Sequence, residues 1–276
     1  MKYKIFDIHT HVVPSYDDGA INLSMAIEML KIAHSQGARD IICTSHNGYG
    51  INRYYTNFTI LQQELTKENI DINLYDGCEI YCSTYIVESI LSEIDSGEIP
   101  TLNGTEYILV EFSPYTNLNE ITYCVNKLSD AGYKIIIAHV ERYFNLFNNG
   151  YDWIYDFQKE GHLFQVNAYS LQDTHDEQIK RIARRLLKLK AITFIGSDAH
   201  RTNHRNYNIT NGIKYIYEHC DVEYADNICY KNASILLNRV LSVKYFHLNN
   251  PIYSCILILS ENSMKQLVYI IFLFQK

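Results

Sequence analysis

Only four prolines occur in 276 residues, and no stretch is rich in proline, glycine and serine, so no domain boundary is obvious before about residue 240. One compact domain is expected over 1–240, followed by a divergent apolar tail at 241–276. The seven cysteines contain no CxxC pair, which argues against a zinc knuckle or a disulfide framework. They read as reduced cytosolic thiols. Positive charge is scarce as well: the net charge is -7 without a broad basic block, so a long nucleic-acid groove is not expected. No apolar run reaches the roughly 18 residues that a transmembrane segment needs. Nor does the chain open on a basic segment followed by an apolar one, as a secretory signal would. These absences together point to a cytoplasmic protein.

What is present is enough apolar material, 47% of the chain, to build a sizeable core, and a regular alternation of element types. Strand-like runs at 3–8, 40–45, 72–77, 107–110, 135–138, 163–168 and 191–197 alternate with helical patterns, the signature of βα units on a parallel sheet. The first helix should run from about Asn22 to Gln36 on a stripe of Ala26, Ile27, Leu30 and Ala33, with Gly37 as its cap. A later one should begin with the capping-box pattern Thr174-His175-Asp176-Glu177 and run through Ile179, Ile182, Ala183, Leu186 and Leu187. These seven units are one short of the eight of a complete TIM barrel.

Residues that bind metal well stand where the apolar runs end. They are His9, His11, Asp18, His46, Glu79, Glu111, His139, Asp198 and His200. In a parallel α/β fold the strand C-termini form the one face where distant segments converge, so a polynuclear metal site is expected there. His9 and His11 are separated by one residue, so in an extended segment both imidazoles point the same way and can grip one ion. Asp198 and His200 repeat that spacing. A single histidine near a strand end is more often a surface residue than a ligand, but nine candidates at strand ends reverse the odds. The carboxylates of Asp18, Glu79, Glu111 and Asp198, crowded together without cations, would repel or protonate. Mixed imidazole and carboxylate ligation suits Mn, Fe or Zn. Three divalent ions would leave the cluster at about +2, matched to a phosphate monoester of about -1.5 to -2.

The segments DIHTHVVPSYDDGA, TSHNGYG, GCEIY, VEFS, IAHVERY, FQVNAYSL and FIGSDAHR, in this order and spacing, resemble the PHP (polymerase and histidinol phosphatase) superfamily. Within it they are most similar to the CpsB/CapC-type metal-dependent protein-tyrosine phosphatases of bacterial capsule and exopolysaccharide loci. The match covers roughly residues 5 to 240. The resemblance implies an α/β fold, a distorted (β/α)7 TIM-like barrel with a trinuclear metal site at the strand C-terminal face, usually holding Mn2+. By it, His9, His11, Glu79 and Asp198 hold one ion. Glu79 bridges to a second held by Glu111 and His139, and Asp18, His46 and His200 hold the third. Arg142 and Arg205 match the family's substrate-binding arginines and would clamp phosphate oxygens with a planar fork.

The implied reaction is hydrolysis of phosphotyrosine by a metal-activated hydroxide. No cysteine is followed six positions later by arginine, so the loop of cysteine-dependent tyrosine phosphatases is missing. The implied partner is an autophosphorylating bacterial tyrosine kinase with a tyrosine-rich tail. Alternatives are a histidinol-phosphate or other small-molecule phosphomonoesterase, and a regulatory scaffold that binds the kinase with little turnover. Asp7 and Asp17, beside ligands, could orient imidazoles. Val140, Asn47 and Tyr169 depart from common family residues, and Tyr169 could reshape the pocket next to Asn167. In the tail, CILIL and LVYIIFLF are too short to span a bilayer, and packing or self-association as a homo-oligomer is favoured over a membrane-surface anchor. Lys180, Arg181, Arg184, Arg185 and Lys188 form a basic helix face, most simply solvated, that could also attract an acidic partner segment.

Overall fold

The computed structural model describes residues 3–173 and 176–238 and, beyond them, the backbone of three short strands. Two compact units divide the chain, Met1–Leu237 and Asn238–Lys276. In the first, elements follow in the order β1 (Ile5–Thr10), α1 (Leu23–Ser35), β2 (Ala38–Cys43), α2 (Ile51–Lys67), β3 (Asn73–Asp76), β4 (Glu79–Tyr81), α3 (Val87–Asp95), β5 (Tyr107–Glu111) and α4 (Leu118–Asp130). There follow β6 (Lys134–Ile137), α5 (Asp152–Lys159), β7 (Leu163–Asn167), α6 (Glu177–Lys188), β8 (Phe194–Gly196), α7 (Thr210–His219), α8 (Val222–Asp226) and α9 (Asn232–Asn238).

All strand pairs in this unit are parallel, in two sheets of order β1-β2-β3 and β4-β5-β6-β7-β8. Single parallel bridges, Thr10 to Ala199 and His46 to Glu79, link the sheets just beyond the strand ends. Parallel strands are covered on both faces, which is why these runs are nearly continuous in apolar residues. Every residue of β1 is buried. Phe6 and Ile8 of β1, Ile42 of β2, Leu109 of β5, Ile136 of β6 and Phe194 of β8 meet in one buried cluster closed by Ala233, Leu236 and Leu237 of α9.

The seven expected alternations appear as eight strands because the third run breaks. At Gly77 a Cβ would lie 2.7 Å from Ile42 Cγ2, so only glycine lets the backbone pass this close. Beyond the break β4 leaves the partner of β3 and pairs with β5. Helix α1 follows its sequence signals: Asn22 accepts the Met25 N–H at 2.9 Å, Ala26, Ile27, Leu30 and Ala33 are buried, and Gly37 takes a φ of 99°. Helix α6 is capped by Asp176, whose carboxylate accepts the N–H groups of Gln178 and Ile179 at 2.9 and 3.0 Å. The expected cap Thr174, with His175, lies outside the described residues.

In the second unit β9 (Tyr245–Phe246), β10 (Ser254–Ile258) and β11 (Tyr269–Leu273) form an antiparallel sheet of order β11-β10-β9. The apolar runs CILIL and LVYIIFLF contribute β10 and β11. Whether their side chains pack, self-associate or meet a membrane surface falls outside the described residues. Among the described residues no helix is long and apolar enough to cross a membrane.

Candidate metal centre

The nine predicted donors converge where β1, β2, β3, β5, β6 and β8 end. His9 lies within β1 and His11 just beyond it; Asp18 follows in the next loop. His46 stands after β2, Glu79 opens β4, Glu111 closes β5, His139 comes two residues after β6, and Asp198 and His200 follow β8. Glu79 is the hub. Its Oε2 lies 3.1 Å from His9 Nε2, 3.0 Å from His11 Nε2 and 3.5 Å from His46 Nδ1, while its Oε1 lies 2.8 Å from His139 Nε2. Asp198 Oδ1 is 3.6 Å from the Nε2 atoms of both His9 and His11. Glu111 reaches His46 Nδ1 at 3.4 Å and His139 Nε2 at 3.5 Å. On the outer side Asp18 Oδ1 stands 3.5 Å from His200 Nε2 and 3.8 Å from His46 Nε2.

Three overlapping sets have ligand atoms all within 4.8 Å of one another: His9, His11, Glu79 and Asp198; His46, Glu79 and Glu111; and His11, Asp18, His46 and His200. The first set is the one expected. The second contains His46 where the resemblance put His139, although His139 touches both carboxylates, and the third gains His11.

The chemistry of the donors fits cations. His11 Nδ1 donates to Asp17 Oδ2 at 2.8 Å, His9 Nδ1 to Gln165 Oε1 at 3.0 Å, and His200 Nδ1 to the Asp198 carbonyl at 3.0 Å. Each bond fixes the tautomer and turns the Nε2 lone pair toward the carboxylates. His200 Nε2 is buried and has no hydrogen-bond partner. His9 Nε2 and His11 Nε2 lie 3.4 Å apart, facing the same Glu79 oxygen, a placement that one ion would satisfy better than a proton.

Charges around the cluster carry the same demand. Burial pushes the Glu79 carboxyl up, yet His9, His11 and His139 hold it well below the usual carboxylate range. Burial likewise works against the Asp198 carboxylate, and Arg142, His9 and Arg205 overcome it, holding the carboxyl below its ordinary range. Burial and Arg142 oppose a proton on His139, but Glu111 and Glu79 raise it to about 9. His200 goes the other way, pushed down to about 2 by burial and by the neighbouring His11. His200 is thus already the neutral imidazole that a divalent ion requires, whereas His11 and His139, both raised against their burial by neighbouring carboxylates, would give up a proton to an ion.

The family described as "Capsular polysaccharide synthesis, CpsB/CapC" matches residues 5–238. The chain belongs to the CpsB/CapC family. It is similar to the tyrosine-protein phosphatase YwqE of Bacillus subtilis strain 168, with 31% identity over 250 residues, 85% of this chain and 92% of that one. The tyrosine-protein phosphatase CpsB of Streptococcus agalactiae serotype V is 28% identical over 249 residues, 86% of this chain and 100% of the relative. Among solved structures, one from the pair YwqE of Bacillus subtilis and CpsB of Streptococcus pneumoniae, described as metal-dependent tyrosine phosphatases, superimposes with a TM-score of 0.76. It is 28% identical and covers 85% of this chain and 94% of its own.

In this CpsB/CapC chain both candidate phosphate-binding arginines stand against a donor residue. Arg142 Nη2 donates to Asp198 Oδ2 at 2.5 Å, and Arg205 Nη2 to both Asp198 oxygens at 2.6 Å. Arg142 also donates to the Tyr169 hydroxyl, so Tyr169, expected to shape the pocket next to Asn167, braces this arginine. Left-handed backbone recurs here: φ is 32° at His139, 52° at Asp198 and 47° at Arg205. Such conformations cost about 1–3 kcal/mol each and persist where the surroundings over-determine them. Gly196 is needed for a different reason, since a Cβ there would sit 2.6 Å from His9 Cβ.

Asp17 meets its expectation as an imidazole partner; Asp7 does not. Asp7 Oδ1 accepts the backbone N–H groups of His9 and Ser197 at 3.1 and 2.8 Å, tying β1 to the end of β8. The imidazole of His9 is held by Gln165, which the sequence reading passed over. Gln165 Oε1 also accepts the His139 N–H, its Nε2 donates to Asn167 Oδ1 at 2.8 Å, and Asn167 Nδ2 donates to Asp198 Oδ2 at 3.0 Å. Glu141 was missed too: it is buried and accepts from Ser170 Oγ at 2.7 Å and the Asn167 N–H at 3.0 Å. The available signal was two polar residues, Gln165 and Asn167, alternating in an otherwise apolar strand.

Proposed function

We propose that this chain is a metal-dependent protein-tyrosine phosphatase, a phosphoric monoester hydrolase that uses no cysteine nucleophile. The observation that carries the reading is the convergence of four carboxylates and five imidazoles in one cluster, four of those imidazoles against Glu79, with Arg142 and Arg205 at its edge. The three donor sets support three divalent ions, Mn2+ first, with Fe and Zn compatible with the same donors. We read the parallel strands and their two bridges as a distorted seven-unit barrel, and residues 1–240 as the metallophosphatase domain. The partner in this reading is a phosphotyrosine protein, the tail of a bacterial tyrosine kinase that regulates capsular or exopolysaccharide synthesis in the cytoplasm.

Bound divalent ions supply activation of water near neutral pH and positive charge for the phosphoryl oxygens. The protein's own residues do the rest. Asp17 and Gln165 hold the His11 and His9 rings with Nε2 inward. The guanidinium groups of Arg142 and Arg205 offer planar forks to the equatorial phosphoryl oxygens as charge develops there. Tyrosinate, whose conjugate acid has a pKa of about 10, leaves more readily than an alkoxide and needs less help from a general acid.

Turnover of a phosphotyrosine peptide against histidinol phosphate, with and without Mn2+, tests the reading. Mn2+-dependent turnover that favours the peptide is expected. A preference for histidinol phosphate would replace it with a small-molecule phosphatase, and turnover of neither would favour the scaffold.

A further inference from the structure

Two arginines on the exposed face of α6 overhang an aromatic hollow. Among the described residues Arg181 and Arg185 make no ion pair, whereas their neighbours Lys180 and Arg184 are held by Glu177 and Asp173. The hollow has a volume of about 360 Å3. Its walls are the half-buried rings of Phe144, Phe147 and Tyr151, from the segment between β6 and α5, and Ile182 of α6. The rings of Phe147 and Tyr151 are 4.9 Å apart, and the Arg185 guanidinium lies 5.9 Å from the centre of the Tyr151 ring. The aromatic wall begins two residues after Arg142, one of the two candidate phosphate-binding arginines.

We propose that this hollow docks the acidic, aromatic-bearing residues that flank the phosphotyrosine of a protein substrate. The inference rests on the phosphatase reading. The chain as a whole is acidic, with a net charge of -7, so anionic segments are repelled except where a local basic rim gathers them. Arg181 and Arg185 are free to take carboxylates in planar pairs, and the ring-lined floor takes an aromatic side chain by stacking. A small phosphate ester has nothing to place there; a peptide does. An anionic membrane is a poorer match, because it takes a cluster of free basic residues, and Lys180 and Arg184 of this face are already held by Glu177 and Asp173.

The test uses the full chain with Mn2+ and three substrates: a phosphotyrosine peptide flanked by glutamate and tyrosine, one flanked by serine and alanine, and p-nitrophenyl phosphate. The wild type should show a KM about five- to tenfold lower for the acidic peptide, an advantage that salt erodes. In the double variant Arg181→Gln, Arg185→Gln that advantage should vanish, with kcat and p-nitrophenyl phosphate turnover unchanged. Phe147→Ala should weaken the preference for the aromatic flank in the same way. Equal KM values for the two peptides in the wild type, or a preference that survives the double variant, would overturn the proposal. So would arginine-dependent binding to phosphatidylglycerol vesicles with no discrimination between peptides. Fluorescence anisotropy with the unphosphorylated acidic peptide separates the two readings. Arginine-dependent binding upholds the docking site even if no phosphotyrosine substrate is turned over, and equal binding by wild type and double variant sinks it even if one is.

Discussion

Gln165 Oε1 accepts the backbone N–H of His139 at 2.7 Å, and His139 has a left-handed backbone, with φ 32°. The same oxygen stands 3.0 Å from His9 Nδ1, so one amide on β7 aligns donors from β1 and from the loop after β6. β7 contributes no donor of its own. Its role is to set the angle of those on either side.

Replacing that amide by a smaller apolar group, Gln165→Leu, leaves the His139 N–H buried without an acceptor and frees the His9 ring. The metal-free fold should lose about 1–3 kcal/mol, measured by urea unfolding. Metal affinity should fall about 10- to 100-fold, measured by competition with a chelating dye. Wild-type metal affinity in this variant would show that His9 and His139 do not depend on Gln165.

Glu79 touches four imidazoles, so Glu79→Ala should remove at least one ion and most of the activity, and His11→Ala should do the same. Metal analysis beside phosphotyrosine turnover is the measurement. A fully loaded, fully active Glu79→Ala protein would rule out its place at the hub. The fold should survive better than the chemistry, since the apolar cluster closed by α9 contains none of these donors.

Arg142→Ala and Arg205→Ala should keep their metal and lose kcat/KM by an amount equivalent to about 2–4 kcal/mol, the usual cost of a lost preorganised donor. That is several tens to a thousandfold. Arg142→Lys should rescue poorly, because an ammonium point charge cannot offer phosphoryl oxygens the two parallel N–H donors of a planar guanidinium. Near wild-type kcat/KM for Arg142→Ala at full metal occupancy would remove it from phosphate binding.

Away from the metal centre, His162 enters β7 buried against the Phe157 ring, and burial depresses its pKa below 6.5 while nearby Glu160 only partly offsets this. Between the folded and unfolded values the unfolded chain binds the extra proton. Stability should therefore fall as pH drops through about 6.5, and stop falling once the folded ring also protonates. Chemical unfolding at about pH 7.5 and pH 5.5 should show a larger loss in the wild type than in His162→Gln. Equal losses would mean that the ring is accessible to solvent when folded.

Much of the centre was legible because its parts are local. His9 with His11, and Asp198 with His200, announce themselves by residue type and by the spacing of extended chain, and apolar runs before each donor mark the end of a strand. Asp17 was within reach for the same reason, lying beside Asp18. Gln165, Asn167 and Glu141 were not, because each acts across strands: whether a buried amide meets an imidazole is decided by the register of β6, β7 and β8, and one-residue patterns carry no register. The extra strand was hidden likewise, since the break at Gly77 depends on how closely Ile42 approaches it.

Sequence alone determined which residues have the chemistry to bind metal, the parallel α/β order of elements, and the ends of α1, all set by side-chain type and by periods of two and 3.6 residues. Tertiary structure decided the rest. It put His46 beside Glu79 and Glu111, aimed Arg142 and Arg205 at Asp198, gave the His9 ring to Gln165, and held His139 and Asp198 in left-handed backbone. Those arrangements come from segments far apart in the chain: packing against the shared core offsets the strained backbone, and the facing imidazoles and guanidinium groups offset the gathered carboxylates.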